Sequence, residues 1–476
     1  MPGAWPWATN WSAAPGFFPD GLAALGLPLT LYSNLYAQPP LNQMTQFEWV
    51  NNDGARRRRR IGGRVDARVS SGDPGWARVV PNQSYDFHTY IFDAGTTLGQ
   101  NSFEIDFSDF MFEGSPDFRS DVRAFDAYFD GMNAAAREHA FPVQLCMSLP
   151  ALTLASVGWD MVTNARLNSD GYVFVSRYDI FQTSLLYAAV GLAPFLDNVW
   201  TVGCQPAWDN PYGNTTCEAH SEQLIAIATL GAGPIGFADR VGFTNATLLN
   251  MTCRADGVLL QPDLPQTHVE FHYADAFPPA AGTGARIASA PTWVSGALFL
   301  SVFATFVEAD VSVAPVDVWP ALPAVGSGSV SAFYVTALSR RSACVDGGDA
   351  VATGCALRFA GGAGDALLTA NTGANGHEVY TVTPVFTSGG WALLGELDKF
   401  TRVSGARVSN VTPGCQAGGA GLCIDLLGAA GETVQVTAVD PAGTVRVFSG
   451  SVGATGTVGV MCACSAGSCT CEKNAV

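Results

Sequence analysis

The stretch Ser102-Phe103-Glu104-Ile105-Asp106-Phe107 alternates apolar and polar side chains and ends in acids. A period of two is that of a β-strand, whose side chains point to opposite faces in turn. Downstream, apolar residues recur every three to four positions over residues 119–139, which predicts a helix. Short strands are expected at 142–147 and 161–167, helices at 180–193 and 219–229, and strands at 234–237 and 258–260. Strands that alternate with helices pair in parallel through right-handed crossovers.

Upstream, residues 18–36 read as a short helix followed by the apolar strand 27–32. Residues 39–100 are rich in Pro, Asn and Gly and are expected to be irregular. Counting these elements gives about six barrel strands where a complete (β/α)8 barrel has eight. The expectation is a TIM-type α/β barrel, N-terminally truncated, over residues 1–285. Beyond residue 285 Gly and Ser increase, helical periodicity vanishes, and strands of five to eight residues recur, as at 391–397, 433–439 and 444–448. That texture predicts an all-β antiparallel sandwich over residues 286–476.

The 476 residues are 48% apolar and 14% charged, which is a globular composition for two domains. A net charge of −17 argues against a nucleic-acid partner, because phosphates would be repelled. Arg56, Arg57, Arg58, Arg59 and Arg60 form one basic run, but no aromatic residue interleaves with it, so a solvated loop is expected. The most apolar run, residues 293–307, is interrupted by Ser and Gly and is too short for a bilayer, so no membrane partner is expected. The oligomeric state is not legible. The start, Met1-Pro2-Gly3-Ala4-Trp5, lacks the pattern of a leader peptide, and the leader and first strands are expected upstream of it.

Twelve cysteines and Asn-x-Ser/Thr sequons at Asn10, Asn82, Asn214, Asn245, Asn250 and Asn410 point to an oxidising, glycosylating compartment. Cys204/Cys217, Cys344/Cys355 and Cys415/Cys423 are candidate pairs by short spacing. Cys462, Cys464, Cys469 and Cys471 suggest two or more disulfides, with thiolate metal binding as the alternative. Cys146 and Cys253 lack close partners and are expected to be buried thiols.

In parallel barrels the chemistry sits at the C-terminal ends of strands. Asp106 and Asp170 both fall at such ends. Two carboxylates facing one pocket are the minimum for glycoside hydrolysis: one attacks the anomeric carbon, the other protonates the leaving oxygen. By position alone an acid at a strand end serves equally well as a helix cap.

Several motifs, in this order, resemble the α-galactosidase and raffinose-synthase group of barrel glycosidases. Phe17-Phe18-Pro19-Asp20-Gly21-Leu22 with Gly26-Leu27-Pro28-Leu29-Thr30-Leu31-Tyr32 is similar to that group's helix leading to its third strand. Glu104-Ile105-Asp106 resembles its Lys-x-Asp nucleophile motif, and Cys146-Met147-Ser148 its Cys-containing sugar-site segment. Ser169-Asp170-Gly171 resembles its Ser-Asp acid/base motif, and 233–239 with 256–260 its last barrel strands. The resemblance covers about residues 17–265 and implies Asp106 as nucleophile and Asp170 as acid/base. It implies sugar contacts for Glu104, Cys146, Ser148 and Asp239, while by position Trp200 and Trp208 are sugar platforms or core anchors and Arg166 a substrate ligand or a structural salt bridge. The chain departs from the group at Glu104, where the group has lysine, and at Gly171, where it has a polar residue, and the acidic residues that the group's first strand offers to galactose are absent from it. Galactose specificity therefore does not carry over. The expected activity is a retaining glycosidase on an oligo- or polysaccharide. A transglycosidase, or a non-catalytic sugar-binding protein, are the alternatives.

No cofactor and no metal are expected. Gly231-Ala232-Gly233-Pro234-Ile235-Gly236 matches a dinucleotide fingerprint, but no helix opens after it to receive a pyrophosphate. His268, Glu270 and His272 would share a strand face, and an ordinary polar face is the simpler reading than a metal site.

Overall fold

The computed structural model describes residues 29–33, 46–51, 60–61, 64–65, 77–106, 108–148, 150–167, 180–203, 218–274, 286–374, 376–465 and 468–473. The fold is mixed α/β, with parallel strands in the first part and several antiparallel sheets in the second. The chain divides into two compact units. One comprises residues 1–169 with 186–194, the other residues 170–185 with 195–476.

In the first unit, β1 (Leu29–Ser33), β2 (Gln100–Ile105), β3 (Val143–Leu145) and β4 (Val162–Arg166) lie side by side and parallel. Helices α1 (Ser84–Thr96) and α2 (Val122–His139) bury their apolar stripes. Phe87, Ile91 and Phe92 come from α1, and Phe125, Tyr128, Phe129 and Met132 from α2. From β2, Phe103 meets the rings of Phe92 at 4.9 Å and His88 at 6.0 Å. Each such ring stabilises the fold by roughly 2 kcal/mol through its buried area. The two helices approach so closely at Gly131 that a Cβ there would lie 2.7 Å from the Tyr85 nitrogen. Asp121 caps α2, accepting from the Arg123 amide at 3.0 Å.

Two expectations change here. Residues 39–100 are not uniformly irregular: α1 occupies thirteen of them. Its apolar positions do repeat every three to four residues, but its β-branched and aromatic side chains are weak helix formers, and packing on α2 overrides them. The helix expected over 119–139 begins at Val122, because Asp121 is extended and separates it from a short helix, Pro116–Ser120.

In the second unit, β5 (Ala193–Val199) and β6 (Ile235–Phe237) form a parallel pair, with α4 (Ser221–Leu230) between them in sequence. α3 (Ile180–Ala189) precedes β5 and is shared between the units. Six parallel strands are thus present among the described residues, but not the six expected: β5 stands where the sequence reading places no strand, and a closed eight-stranded barrel is not among them. The expected strand at 258–260 is only an isolated bridge, Cys253 to Leu259. His268 ends a two-residue strand, while Glu270 and His272 lie on the helix Glu270–Ala274, so the three share no strand face.

Beyond residue 286 all pairing is antiparallel. One sheet of nine strands includes β7 (Arg286–Val294), β8 (Ala297–Thr305), β9 (His377–Phe386), β10 (Ala392–Gly395), β11 (Thr433–Val439) and β12 (Val445–Ser451). A second sheet has four strands: Val408–Pro413, Leu422–Leu427, Thr457–Ser465 and Ser468–Lys473. Phe299, Val436 and Phe448 from the first, with Trp391 just before β10, meet Val411, Ile424 and Val460 from the second in one core. A core fed by two sheets is the arrangement of a β-sandwich. Cys344–Cys355, Cys415–Cys423, Cys462–Cys471 and Cys464–Cys469 are disulfides. The last two lie at directly opposed positions of the final hairpin. Cys146 is a buried thiol, Cys253 a half-buried one, and the Cys204/Cys217 pair lies outside the described residues.

Candidate functional site

The parallel register fixes which side chains meet. Glu104 pairs with Gln144, and Gln144 with Asn164. One position on, Ile105 pairs with Leu145, and Leu145 with Ala165. Asp106, Cys146 and Arg166 are the next residues on their strands, and the Cys146 amide still donates to the Ile105 carbonyl at 2.9 Å. Because side chains alternate, Glu104 and Asp106 share one face, opposite the buried Phe103 and Ile105. The same face therefore carries two polar rungs: Glu104, Gln144 and Asn164, then Asp106, Cys146 and Arg166.

The rungs are tied together. Asn164 Nδ2 donates to Gln144 Oε1 at 2.6 Å, and the Gln144 side chain lies beside the Glu104 carboxyl and favours its charged form. Arg166 Nη1 reaches Cys146 Sγ at 3.4 Å, and Cys146 is close enough to Glu104 to favour its charged form. Burial raises the Glu104 carboxyl above its usual range. The Gln144 bond opposes this, the nearby Asp106 charge adds to it, and Cys146 and Arg166 lower it again. Asp106 is 7% exposed and Arg166 3%, whereas Glu104 is only half-buried. Beyond the second rung Ser108 donates to the Cys146 carbonyl at 2.6 Å. Ser148 is fully buried, 3.0 Å from the Tyr187 hydroxyl, which itself donates to the Arg166 carbonyl at 3.2 Å.

Thus Glu104, Asp106, Cys146, Arg166 and Ser148 come together at the C-terminal ends of three neighbouring strands. Ser148 is held by Tyr187 within the wall. In the second unit, Trp200 follows β5 and is buried. Asp239 follows β6 and accepts from the Thr201 amide at 2.9 Å and its hydroxyl at 2.7 Å, so its carboxylate links the loops after β5 and β6. Asp170 and Trp208 lie outside the described residues. Gln144, Asn164 and Tyr187 went unread in the sequence. For Gln144 the signal was present, since it alternates with the apolar Val143 and Leu145, whereas beside Asn164 the polar Thr163 blurs the pattern.

No group of three or more His, Cys, Asp or Glu among the described residues is arranged to hold a metal ion. No helix among them is long and apolar enough to cross a membrane. The arrangement offers a carboxylate, a second carboxyl with a raised pKa, a buried guanidinium and two amides on one polar face.

No family model matches the chain, and no curated protein does. The α-galactosidase and raffinose-synthase likeness thus rests on the quoted motifs alone. Among solved structures, the chain is similar to a glycoside hydrolase family 20 β-N-acetylglucosaminidase at 10% identity and a TM-score of 0.28. The match covers 43% of this chain and 42% of that one, so the chain spans less than half of that protein's length.

Proposed function

We propose that the chain is a retaining glycoside hydrolase acting on O-glycosidic bonds of an oligo- or polysaccharide, with residues 1–285 as its catalytic part and 286–476 as its sandwich. The observation that carries this reading is Asp106 at the end of a parallel strand, on one polar face with Glu104, Gln144 and Arg166. In this scheme the Asp106 carboxylate attacks the anomeric carbon as the glycosidic C–O bond breaks. A second carboxyl gives its proton to the leaving oxygen, and water then releases the sugar from the aspartyl ester. The motif resemblance gives the proton-donor part to Asp170. The four disulfides fit a secreted or lumenal setting with glycans on the sequons.

A sugar-binding protein without turnover is the second reading, favoured by Glu104 standing where the resembled group has lysine. Asp106→Asn separates the two. As an enzyme, the variant loses about three decades of turnover on an activated aryl glycoside. Turnover unchanged in the variant removes Asp106 from the chemistry. Sugar binding by a wild type that turns over no glycoside leaves the binding protein.

A further inference from the structure

The described hydrogen bonds between the strands, Asn164 to Gln144 and Arg166 to Cys146, lead toward Glu104. Asn164 donates to the Gln144 oxygen, which leaves the Gln144 nitrogen for the Glu104 carboxylate. From the other rung Arg166 donates to the Cys146 sulfur, and Cys146 faces Glu104 with its thiol. Gln144 and Cys146, themselves tied to Asn164 and Arg166, thus flank one half-buried carboxyl. A carboxylate has about four lone-pair sites, and Gln144 and Cys146 take only part of that capacity. What remains is a fixed acceptor next to a second acid, Asp106.

We infer that the Glu104–Gln144–Asn164 rung is the subsite that selects the sugar, an inference that rests on the glycosidase reading. It accepts a glycosyl unit that presents hydrogen-bond donors, hydroxyl or ammonium, and refuses one that carries a carboxylate. A donor completes the acceptor capacity of Glu104. A uronic acid instead brings a third carboxylate to Glu104 and Asp106, with Arg166 already buried against Cys146. Repulsion of this kind discriminates between substrates alongside the attraction for the right one.

The test is a panel of 4-nitrophenyl glycosides, α and β, of neutral hexoses, 2-amino-2-deoxyhexoses and uronic acids, run on the full chain. Wild type turns over a neutral or an amino sugar and leaves the uronides intact. Glu104→Gln, close in shape, raises KM for the preferred glycoside about tenfold, with kcat changed far less. Gln144→Ala, which releases Glu104 from the ladder, moves KM the same way. Glu104→Lys shifts the uronide-to-hexoside ratio of kcat/KM upward by about tenfold or more. If Glu104→Lys does not fold, Glu104→Gln and Gln144→Ala carry the comparison. The inference is overturned if folded variants keep the wild-type KM and order of preference, or if the wild type prefers uronides. A wild type silent on the whole panel overturns the glycosidase reading itself.

Discussion

The guanidinium of Arg166 lies 3.4 Å from the sulfur of Cys146, on the neighbouring strand and within reach of the Glu104 charge. Arg166 is 3% exposed, so water does little to screen it. Its charge pulls the Glu104 carboxyl down against the raising effect of burial. Arg166→Met removes that pull and raises the Glu104 carboxyl further. The acidic limb of the pH–activity profile moves up accordingly. A limb at the same pH in a folded variant shows that Arg166 does not govern this carboxyl.

His88 makes the first unit sensitive to acid. Burial among Phe87, Phe92, Phe103 and Tyr128 lowers its pKa to about 4, although its Nδ1–H donates to the Ser84 carbonyl at 2.8 Å. In the unfolded chain the imidazole takes up a proton near pH 6.5. Between those values only the unfolded state binds the proton, so stability falls as the pH drops from 6.5 toward 4. The total loss is of order 3 kcal/mol. His88→Phe flattens this slope in chemical denaturation followed across that window. An equal slope in the variant assigns the acid sensitivity elsewhere.

Two substitutions on α2 have opposite signs. Gly131→Ala places a methyl group 2.7 Å from the Tyr85 nitrogen and 2.9 Å from Ser84 Cβ, and both atoms belong to the packed helix α1. A loss of about 1–3 kcal/mol follows. Ala140, which ends α2, is left-handed at φ 54°, a conformation that suits glycine. Ala140→Gly relieves it and stabilises the fold by about 1 kcal/mol. Thermal melting of both variants reads the two signs, and a destabilised Ala140→Gly contradicts the assignment.

Alkylation counts the thiols. Among the described cysteines only Cys146 and Cys253 are free, and Cys146 is 1% exposed. Denaturation without reductant therefore labels these two, while Cys344, Cys355, Cys415, Cys423, Cys462, Cys464, Cys469 and Cys471 react only after reduction. Peptide mapping that finds label on any of these eight before reduction breaks the pairing.

The sequence was most legible where one physical signal ruled. The alternation through Phe103 and Ile105 placed β2 and put Asp106 at its end. Strand 433–439 lies where its β-branched run predicts. α1 was hidden because its aromatic residues are poor helix formers and only packing on α2 makes them helical. The histidine motif failed for the opposite reason. His268, Glu270 and His272 have strand spacing, yet the chain turns into a helix after His268. Within the site, the carboxylates could be read from strand ends. The ladder through Gln144 and Asn164 needed the strand register, which no single strand contains.

The final hairpin carries two cross-links, Cys462–Cys471 and Cys464–Cys469, side by side between its strands. The inner one encloses only the four residues 465–468. A protease that nicks the chain there releases no peptide, since both halves stay stapled to the same ladder. The last strand of the smaller sheet cannot peel away to offer its neighbour's edge to another polypeptide. The carboxyl-terminal border of the fold is thereby sealed against strand exchange for as long as its surroundings stay oxidising.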